Sequence, residues 1–309
     1  MRNKIMNLTI ICLFINLIVI IFLNNKIVAT NIISGINLWT VKVFPSLFPM
    51  FVISDILINY GFVEIISKIL APITKRLFNV NGNGSYVFVM SLISGCPSSA
   101  YITKELLSQS KLSCSDATKV LCFSFFANPL FLYNMLSLIF STTLVIKIIT
   151  IHYLSNIIIG IIFRNYKQKE NVLDEIIVTK KTTNEFGTIL GNSISKAINT
   201  LLLILATIIF YIVISTSIVE VVSLNSFQNS VLKGALEITQ GLNSLVELDI
   251  SITLKCIAAI SFISFGGFSI HTQIKSILSD TNISYKTFFK ARILHVIVSV
   301  ILLLIILIF

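Results

Sequence analysis

The chain has 309 residues, of which 55% are hydrophobic and only 12% charged, and its mean hydropathy is +0.95. A soluble domain needs a charged surface, so this composition excludes a soluble protein and predicts a membrane protein with several apolar segments long enough to cross a bilayer. The formal net charge of +10 lies largely in loops between apolar segments, which is typical of membrane orientation and predicts no nucleic-acid partner.

The chain begins with two predicted membrane spans. Residues 5–23 are apolar, and no small-residue cleavage site follows them, which indicates a retained span rather than a signal peptide. Residues 36–60 form the second span, which two prolines are expected to kink. The segment 62–78 differs in kind, because charged residues interrupt apolar residues at helical spacing. That pattern predicts a helix lying in the membrane interface.

Within residues 85–110, the apolar stretch is too short to cross a membrane. An apolar stretch of about ten residues, enough for about 15 Å of helix, stops at Gly95 and Pro97. The residues that follow are too polar to cross lipid alone. Irregular backbone at membrane depth is tolerated only against protein or a water-filled cavity. The segment therefore predicts a re-entrant hairpin whose tip belongs to a binding site.

The second half contains further spans and a second interruption. Spans are predicted at 115–140, with a break near Asn128, and at 143–163, 195–220 and 285–309. The hydrophilic segment 164–187 predicts a cytosolic loop, and the amphipathic segment 226–245 predicts a second interfacial helix. The segment 252–280 is apolar until Gly266 and Gly267 and polar beyond them, which predicts a second re-entrant hairpin.

An internal repeat relates the two predicted hairpins. Shifting the chain by 171 residues lays Gly95 over Gly266 and Lys104 over Lys275, with six identities in twenty positions. Three predicted crossings separate the hairpins, and an odd number places them on opposite sides of the membrane. This is the inverted-repeat construction of secondary transporters, with the substrate site where the two tips meet. The alternative is a helical bundle with two glycine-broken spans and no transport role.

The sequence thus predicts an all-α polytopic membrane protein with about six transmembrane helices, two re-entrant hairpins and two interfacial helices. It divides into an N-terminal anchor (1–35), a first repeat (36–163), the cytosolic loop (164–187) and an inverted second repeat (188–309). With a cytosolic N-terminus, six crossings also place the C-terminus in the cytosol. Most basic residues then lie inside, and Lys286, Lys290 and Arg292 are a local exception.

Six stretches carry a family resemblance and occur in this order: LFPMFVISDILINYGFVEII, ISGCPSSAYITKELL, ANPLF, LEITQGL, FGGFSIHTQ and ARILH. They resemble the YlbJ sporulation integral membrane proteins, also called SpoVV, which carry the Gate (nucleoside-recognition) domain. Cys96 departs from the family pattern, which has a bulkier tyrosine there. The wider Gate group is similar in layout to concentrative nucleoside transporters. The resemblance implies a multi-pass protein of the cell membrane or outer forespore membrane that moves dipicolinate into the developing spore.

Candidate substrate-binding residues lie at the two predicted tips and just beyond them. Serine hydroxyls and free backbone N–H groups at the start of a half-helix suit an anion, although ordinary N-capping uses the same residues. Asn128 lies where a broken helix frees carbonyl groups, with a packing kink as the alternative. The candidates are Gly95, Pro97, Ser98, Ser99, Lys104, Asn128, Gly266, Gly267, Ser269, His271, Gln273 and Lys275.

Each of the polar and ionisable candidates also has an alternative interpretation in which it binds no substrate or ion. Lys104 and Lys275 occupy equivalent repeat positions and suit a carboxylate, but they are also placed to extend toward the interface. His271 and Gln273 are candidates for hydrogen bonds to a ligand. The alternative is that they are buried polar residues whose hydrogen bonds are formed within the protein. Glu237 is a candidate site for a coupling ion or proton. The alternative is that it is a solvated charge at the membrane interface.

The sequence contains no spaced nucleophile, acid and base, no Walker motif and no metal-ligand cluster. We therefore expect neither an enzyme nor a cofactor or metal site. The leading hypothesis is a transporter of a small organic anion that works in a lipid bilayer. A non-transporting scaffold or assembly factor of the spore envelope and a nucleoside-type carrier are the alternatives. The sequence leaves open whether the chain forms a homo-oligomer.

Overall fold

The structure is a computed structural model that describes residues 2–167 and 185–308, a part of the chain that is helical and has no strand. The expected all-α fold is thereby confirmed. Most of the predicted cytosolic loop 164–187 lies outside the described residues. The helices are α1 (Arg2–Leu23), α2 (Asn25–Leu38), α3 (Phe44–Asn59), α4 (Phe62–Phe78), α5 (Gly82–Ser94), α6 (Ser98–Ser108), α7 (Cys114–Phe123), α8 (Pro129–Leu136), α9 (Thr142–Phe163), α10 (Phe186–Val221), α11 (Ser226–Leu236), α12 (Ile238–Val246), α13 (Ile252–Phe265), α14 (Gly267–Ile277) and α15 (Tyr285–Ile308), with a π-helical turn, Trp39–Val43, between α2 and α3.

Six segments of the described chain are long and apolar enough to cross a membrane, which confirms the expected number. Five of them overlap the predicted spans. The sixth is the α13–α14 segment, Ile252–Ile277, where a hairpin was expected. The six segments are Met6–Leu23, Asn25–Asn59, Thr142–Phe163, Phe186–Val221, Ile252–Ile277 and Tyr285–Ile308.

The predicted span 115–140 is two short helices rather than one kinked helix. Residues 124–128 between α7 and α8 are not helical, so the break expected near Asn128 begins earlier, at Ser124. Both α7 and α8 pack along α9. At one end Ser115 donates a hydrogen bond to the carbonyl of Tyr166, 3.1 Å away. The α7–α8 pair therefore runs beside the full length of α9 as a broken crossing.

The first predicted hairpin is present as a pair of helices. α5 and α6 pack along each other, and the chain reverses at residues 95–97. α5 also packs along α4, where the Thr74 and Ser85 hydroxyls lie 2.8 Å apart. The hairpin of residues 85–110 thus has the predicted helices, and its depth in a membrane stays a prediction.

The segment 226–245 is not the single interfacial helix that we expected. It forms a second hairpin, α11–α12, with Glu237 as the only residue between the helices. The hydroxyls of Ser230 on α11 and Ser244 on α12 lie 2.6 Å apart. A Cβ atom on Gly241 would stand only 2.2 Å from the Cα atom of Gly234, so the absence of side chains lets these helices touch.

The segment 252–280 breaks at the predicted glycines but does not fold back on itself. Gly266 and Gly267 both have positive φ, 94° and 62°, which redirects the chain within two residues. α13 packs against α12 and α15, whereas α14 packs against α10 and α11. The expected second hairpin is therefore a broken crossing, and the place of that hairpin is taken by α11–α12.

The same order of elements occurs twice along the described chain. A hairpin, a broken pair and a long helix follow each other as α5–α6, α7–α8, α9 and again as α11–α12, α13–α14, α15. This order pairs the tip at 95–97 with Glu237 and the break at 124–128 with Gly266. The 171-residue shift paired a hairpin tip with a break, because both have a glycine that ends an apolar helix.

The two ends of the bundle are fixed by contacts between distant segments. Thr287 at the start of α15 donates a hydrogen bond to the Tyr166 hydroxyl at the end of α9, 3.2 Å away. α15 therefore starts at the end of the bundle where α9 finishes, and it leads to the opposite end. The expectation that the C-terminus shares the side of the 164–187 loop is wrong. Lys286 and Lys290 lie at the predicted cytosolic end, so they are no exception to the charge bias.

Candidate functional site

Four chain interruptions meet around one small cavity of about 60 Å³, here named the enclosed cavity because most of its lining residues are buried. They are the tips of the α5–α6 and α11–α12 hairpins and the breaks of the α7–α8 and α13–α14 pairs. Helix ends leave backbone N–H and C=O groups without intrahelical partners, so this is where a ligand finds polar groups inside an apolar bundle. α3 and α10 close the remaining side with Leu47, Ile204 and Ile208. The lining from the interruptions comprises Cys96, Pro97, Phe125, Ala127, Asn128, Glu237, Ile238, Thr239, Ile263, Ser269, Ile270 and Gln273.

The first tip is bound directly to the first break. Gly95 has a φ of 79°, and a Cβ atom built on it would lie 2.8 Å from the Asn128 backbone nitrogen. The Cys96 N–H donates to the Phe126 carbonyl at 2.8 Å, and the Asn128 side chain donates to the Ile93 carbonyl at 2.9 Å. Because space and φ both exclude a side chain at Gly95, glycine is required for this contact.

The second break is fitted to the second tip in the same manner. A Cβ atom on Gly267 would lie 3.2 Å from the Leu236 carbonyl oxygen and 3.3 Å from the Ile238 nitrogen, on either side of Glu237. A Cβ atom on Gly266 would collide with the Phe125 ring at 2.4 Å. The predicted residues Gly95, Gly266 and Gly267 are therefore all places where backbone approaches another segment closely.

Side chains of α9 satisfy the backbone of the break at 124–128. His152 Nε2 accepts the Ala127 N–H at 3.1 Å, and the Tyr153 hydroxyl donates to the Ala127 carbonyl at 3.1 Å. Asn156 Nδ2 donates to the Phe125 carbonyl at 2.8 Å. Buried backbone groups need such partners, so α9 explains why five residues can stay non-helical here.

Behind this break lies Arg292, which has no exposed surface. Its Nη1 donates to His295 Nδ1 at 2.8 Å and to Asn156 Oδ1 at 3.4 Å, and its Nη2 donates to the Cys122 carbonyl. The guanidinium carbon lies 4.4 Å from the centroid of the Phe125 ring. Within the described residues no carboxylate forms an ion pair with it. The sequence signal was available, because Arg292 is a basic residue inside an apolar helix.

Among the described residues that line the cavity, Glu237 is the only charged one, and it is 4% exposed. Its carboxylate caps α12 by accepting the Thr239 hydroxyl and the Gln240 N–H, the latter at 2.9 Å. No described lysine or arginine forms an ion pair with Glu237. The interfacial alternative is excluded, because this carboxylate is buried beside the cavity.

Two polar atoms in the cavity wall have no hydrogen-bond partner in the part of the chain that the structure describes. The buried Ser269 Oγ forms no hydrogen bond, and Gln273 donates to Thr207 at 2.5 Å while its Oε1 stays unpaired. His271 differs from them, because it accepts from the Tyr285 hydroxyl at 3.0 Å and donates to the Phe265 carbonyl at 3.1 Å. Ser269 and Gln273 can therefore bind a ligand in the cavity, and His271 is already satisfied outside it.

Besides His271, four predicted residues in the polar half-helices also lie outside the wall of the enclosed cavity. Lys104 Nζ pairs with Asp280 Oδ1 at 2.6 Å, and this hydrogen bond lowers the pKa of the Asp280 carboxyl. Lys275 is exposed and lies 5.9 Å from the Tyr285 ring centroid. Ser98 lines a second cavity, and the buried Ser99 accepts the Thr103 hydroxyl at its carbonyl. Neither lysine is thus available to an anion in the enclosed cavity.

The second cavity is larger, about 570 Å³, and more polar. It contains an ion pair between Lys196 and Asp55, 3.0 Å apart, and a hydrogen bond of 2.7 Å from Ser193 to the same carboxylate. Its walls come from α3, α6 and α10 and comprise Phe51, Ser54, Asp55, Ile58, Ser98, Tyr101, Ile102, Lys104, Glu105, Ser108, Ser193, Lys196, Ala197, Asn199 and Thr200.

The two cavities follow each other along the bundle. Phe51 of the larger cavity is one helical turn from Leu47 of the enclosed one, and Pro97 and Ser98 are neighbours on opposite sides of the partition. On α10, Thr200 and Ile204 are related in the same way. A wide polar cavity therefore reaches to within about one helical turn of the enclosed cavity.

Comparison with known proteins agrees with this membrane architecture. The chain is 30% identical to the sporulation integral membrane protein YlbJ of Bacillus subtilis (strain 168), over an alignment of 302 residues that covers 85% of this chain and 73% of that protein. The chain belongs to the YlbJ family. No protein-family model and no solved structure matches it. With its six membrane-capable helices, this YlbJ-family chain is a multi-pass integral membrane protein.

Proposed function

We propose that this YlbJ-family protein transports a small organic anion across a membrane of a sporulating cell, with dipicolinate entering the developing spore as the leading candidate. The observation that carries the proposal is the enclosed cavity at which two hairpin tips and two helix breaks meet. Secondary transporters bind substrate at such interruptions near the centre of the membrane, because half-helix ends supply hydrogen-bonding groups there.

The stacked cavities support alternating access. The larger cavity is the entrance, and the distribution of basic residues predicts that it opens to the cytosolic side. The partition of Phe51, Pro97 and Thr200 separates it from the substrate site. At about 60 Å³ the enclosed cavity holds a few water molecules, so it must widen to admit a substrate the size of dipicolinate. Movement of the α5–α6 hairpin away from α10 would open the partition and widen the site together.

The cavity wall suits a small planar ligand. Phe125 contributes an aromatic ring to the wall, and Ser269 Oγ and Gln273 Oε1 have unused hydrogen-bonding capacity. The break at Asn128 and the tip at Glu237 add backbone groups at helix starts. A pyridine ring that bears two carboxylates can stack on the ring and accept hydrogen bonds at its rim.

A nucleoside-type carrier is the second candidate, and Glu237 is the observation that favours it. A buried carboxylate without a cationic partner suits the hydroxyl groups of a neutral ribose better than it suits a free carboxylate. The scaffold alternative assigns the breaks to packing alone. It leaves the unpaired Ser269 and Gln273 atoms without a role.

Uptake by purified protein in liposomes tests the proposal. Liposomes that enclose terbium report dipicolinate entry by luminescence, because dipicolinate chelates and sensitises that ion. We expect saturable entry that exceeds entry into protein-free liposomes and that excess uridine leaves unchanged. Entry of labelled uridine without entry of dipicolinate would favour the nucleoside carrier. If folded protein admits neither dipicolinate nor uridine, and spores of a deletion strain contain normal amounts of dipicolinate, the non-transporting scaffold is favoured.

A further inference from the structure

Arg292 is a buried charge that the proposed function has not used. It is fully buried two turns into α15, and within the described residues it pairs with no carboxylate. Its Nε atom has no hydrogen-bond partner. Burial of an unpaired guanidinium in a membrane protein is strongly unfavourable, so such residues persist where a function requires the charge.

The groups that surround Arg292 are neutral or only partly charged. His295 lies on its own helix, Asn156 and the neighbouring His152 lie on α9, and the Cys122 carbonyl is in the last turn of α7. A helix C-terminus carries a partial negative charge that offsets only part of a full positive one. Most of the positive charge of Arg292 is thus uncompensated within the described protein.

One aromatic residue links this charge to the enclosed cavity. Phe125 lines the cavity, and the guanidinium carbon lies 4.4 Å from the centroid of its ring. In a medium of low dielectric constant a charge acts over such a distance with little screening. The lysines expected to attract an anion, Lys104 and Lys275, lie outside this cavity.

We infer that Arg292, held behind Phe125, gives the enclosed cavity the positive potential by which it selects an anionic substrate. The inference rests on the proposed function and deepens it. Arg292 is a specificity-determining residue that acts through the field of its charge rather than by contact. Glu237 also lines the cavity and repels an anion when it is ionised, so we assign the anion-binding part of the cavity to Phe125.

A purely structural cap is the competing role. Arg292 donates to the Cys122 carbonyl at the end of α7, which is a usual position for a basic side chain. A neutral donor satisfies one carbonyl equally well, and it does not bring a full charge into the bundle. A cap also predicts no preference between charged and neutral ligands of one shape, which makes the two roles separable.

The test compares two probes of equal shape. Dipicolinate and its neutral diamide are titrated into the purified full-length protein by calorimetry. We expect the wild-type protein to bind dipicolinate at least about tenfold more tightly than the diamide. In R292Q this preference falls to about one, with diamide affinity little changed, and R292K keeps part of it. A wild-type preference for the diamide, or an unchanged preference in R292Q, overturns the inference.

A second variant keeps the test valid if R292Q does not fold. Asn156→Asp places a carboxylate against the guanidinium that Asn156 already contacts, so it neutralises the charge without removing Arg292. We expect N156D to lose the dianion preference, whereas N156L, which also loses the bond to Phe125, keeps it. Equal preference in N156D and N156L contradicts the field role. Selective binding of dipicolinate without its uptake into liposomes would overturn the proposed transport and leave this inference standing. Uptake of dipicolinate without a binding preference over the diamide would overturn this inference and leave the proposed transport standing.

Discussion

Gly95 lies against Asn128 so closely that a Cβ atom on the glycine would stand 2.8 Å from the asparagine backbone nitrogen. Gly267 lies against the backbone around Glu237 in the corresponding place of the second repeat. Each hairpin tip is thus bound to the helix break that follows it in the chain.

Valine at either of these glycines is expected to abolish uptake. Gly95 and Gly267 have positive φ, which a branched side chain resists, and the added atoms would meet backbone that cannot yield. Terbium-reported uptake and the amount of protein in the membrane are measured side by side. Gly191→Val is the matched control, because nothing lies within 4 Å of a Cβ atom there. Full uptake by both valine variants would place the substrate site elsewhere.

Ser269→Ala is expected to weaken substrate binding without weakening the fold. The Ser269 hydroxyl has no protein partner, so its removal leaves no protein group unpaired. The lost hydrogen bond to substrate is worth about 0.5–1.5 kcal/mol, or up to about 3 kcal/mol to a charged acceptor, which raises KM several-fold. Ser261→Ala serves as the control, since that hydroxyl bonds to its own helix at Ile257. A lowered melting temperature with unchanged KM would assign Ser269 to packing.

Glu237→Gln is expected to remove the pH dependence of anion uptake. An ionised Glu237 repels a carboxylate in the same cavity, whereas a protonated one donates a hydrogen bond to it. Wild-type uptake of dipicolinate should therefore rise as pH falls, and the glutamine variant should stay near the low-pH rate at every pH. Initial rates between pH 5.5 and 8 measure this. A parallel pH profile in the variant would show that another group carries the proton.

The two hairpins are expected to be accessible from opposite sides of the membrane. Single cysteines at the exposed positions Gln109, at the open end of the α5–α6 hairpin, and Lys286 should label from the side of the 164–187 loop, and one at the exposed Gln228 from the other side. The Tyr166–Thr287 hydrogen bond and the course of α10 are the reasons. An impermeant thiol reagent on a chain without its five native cysteines measures this. Labelling of the cysteines at Gln109 and Gln228 from one side would refute the inverted arrangement.

The sequence by itself determined the helical fold, the number of membrane-capable helices and the places where helices stop. These properties depend on local hydropathy and on glycine and proline, so α5, α6, α13 and α14 begin and end close to the predicted residues. The same local signal made the break at Gly266 and the tip at Gly95 look equivalent, because both are glycines that end an apolar helix.

Only the tertiary structure decided which interruptions fold back and what lies behind them. The hairpin turn at Glu237 depends on the contact between Gly234 and Gly241, and the non-helical residues 124–128 depend on side chains from α9. The burial of Arg292 behind Phe125 is likewise a matter of packing between α7, α9 and α15. These partners are far apart in the chain, and no local pattern records them. Where a helix end finds its hydrogen bonds is a property of the folded bundle.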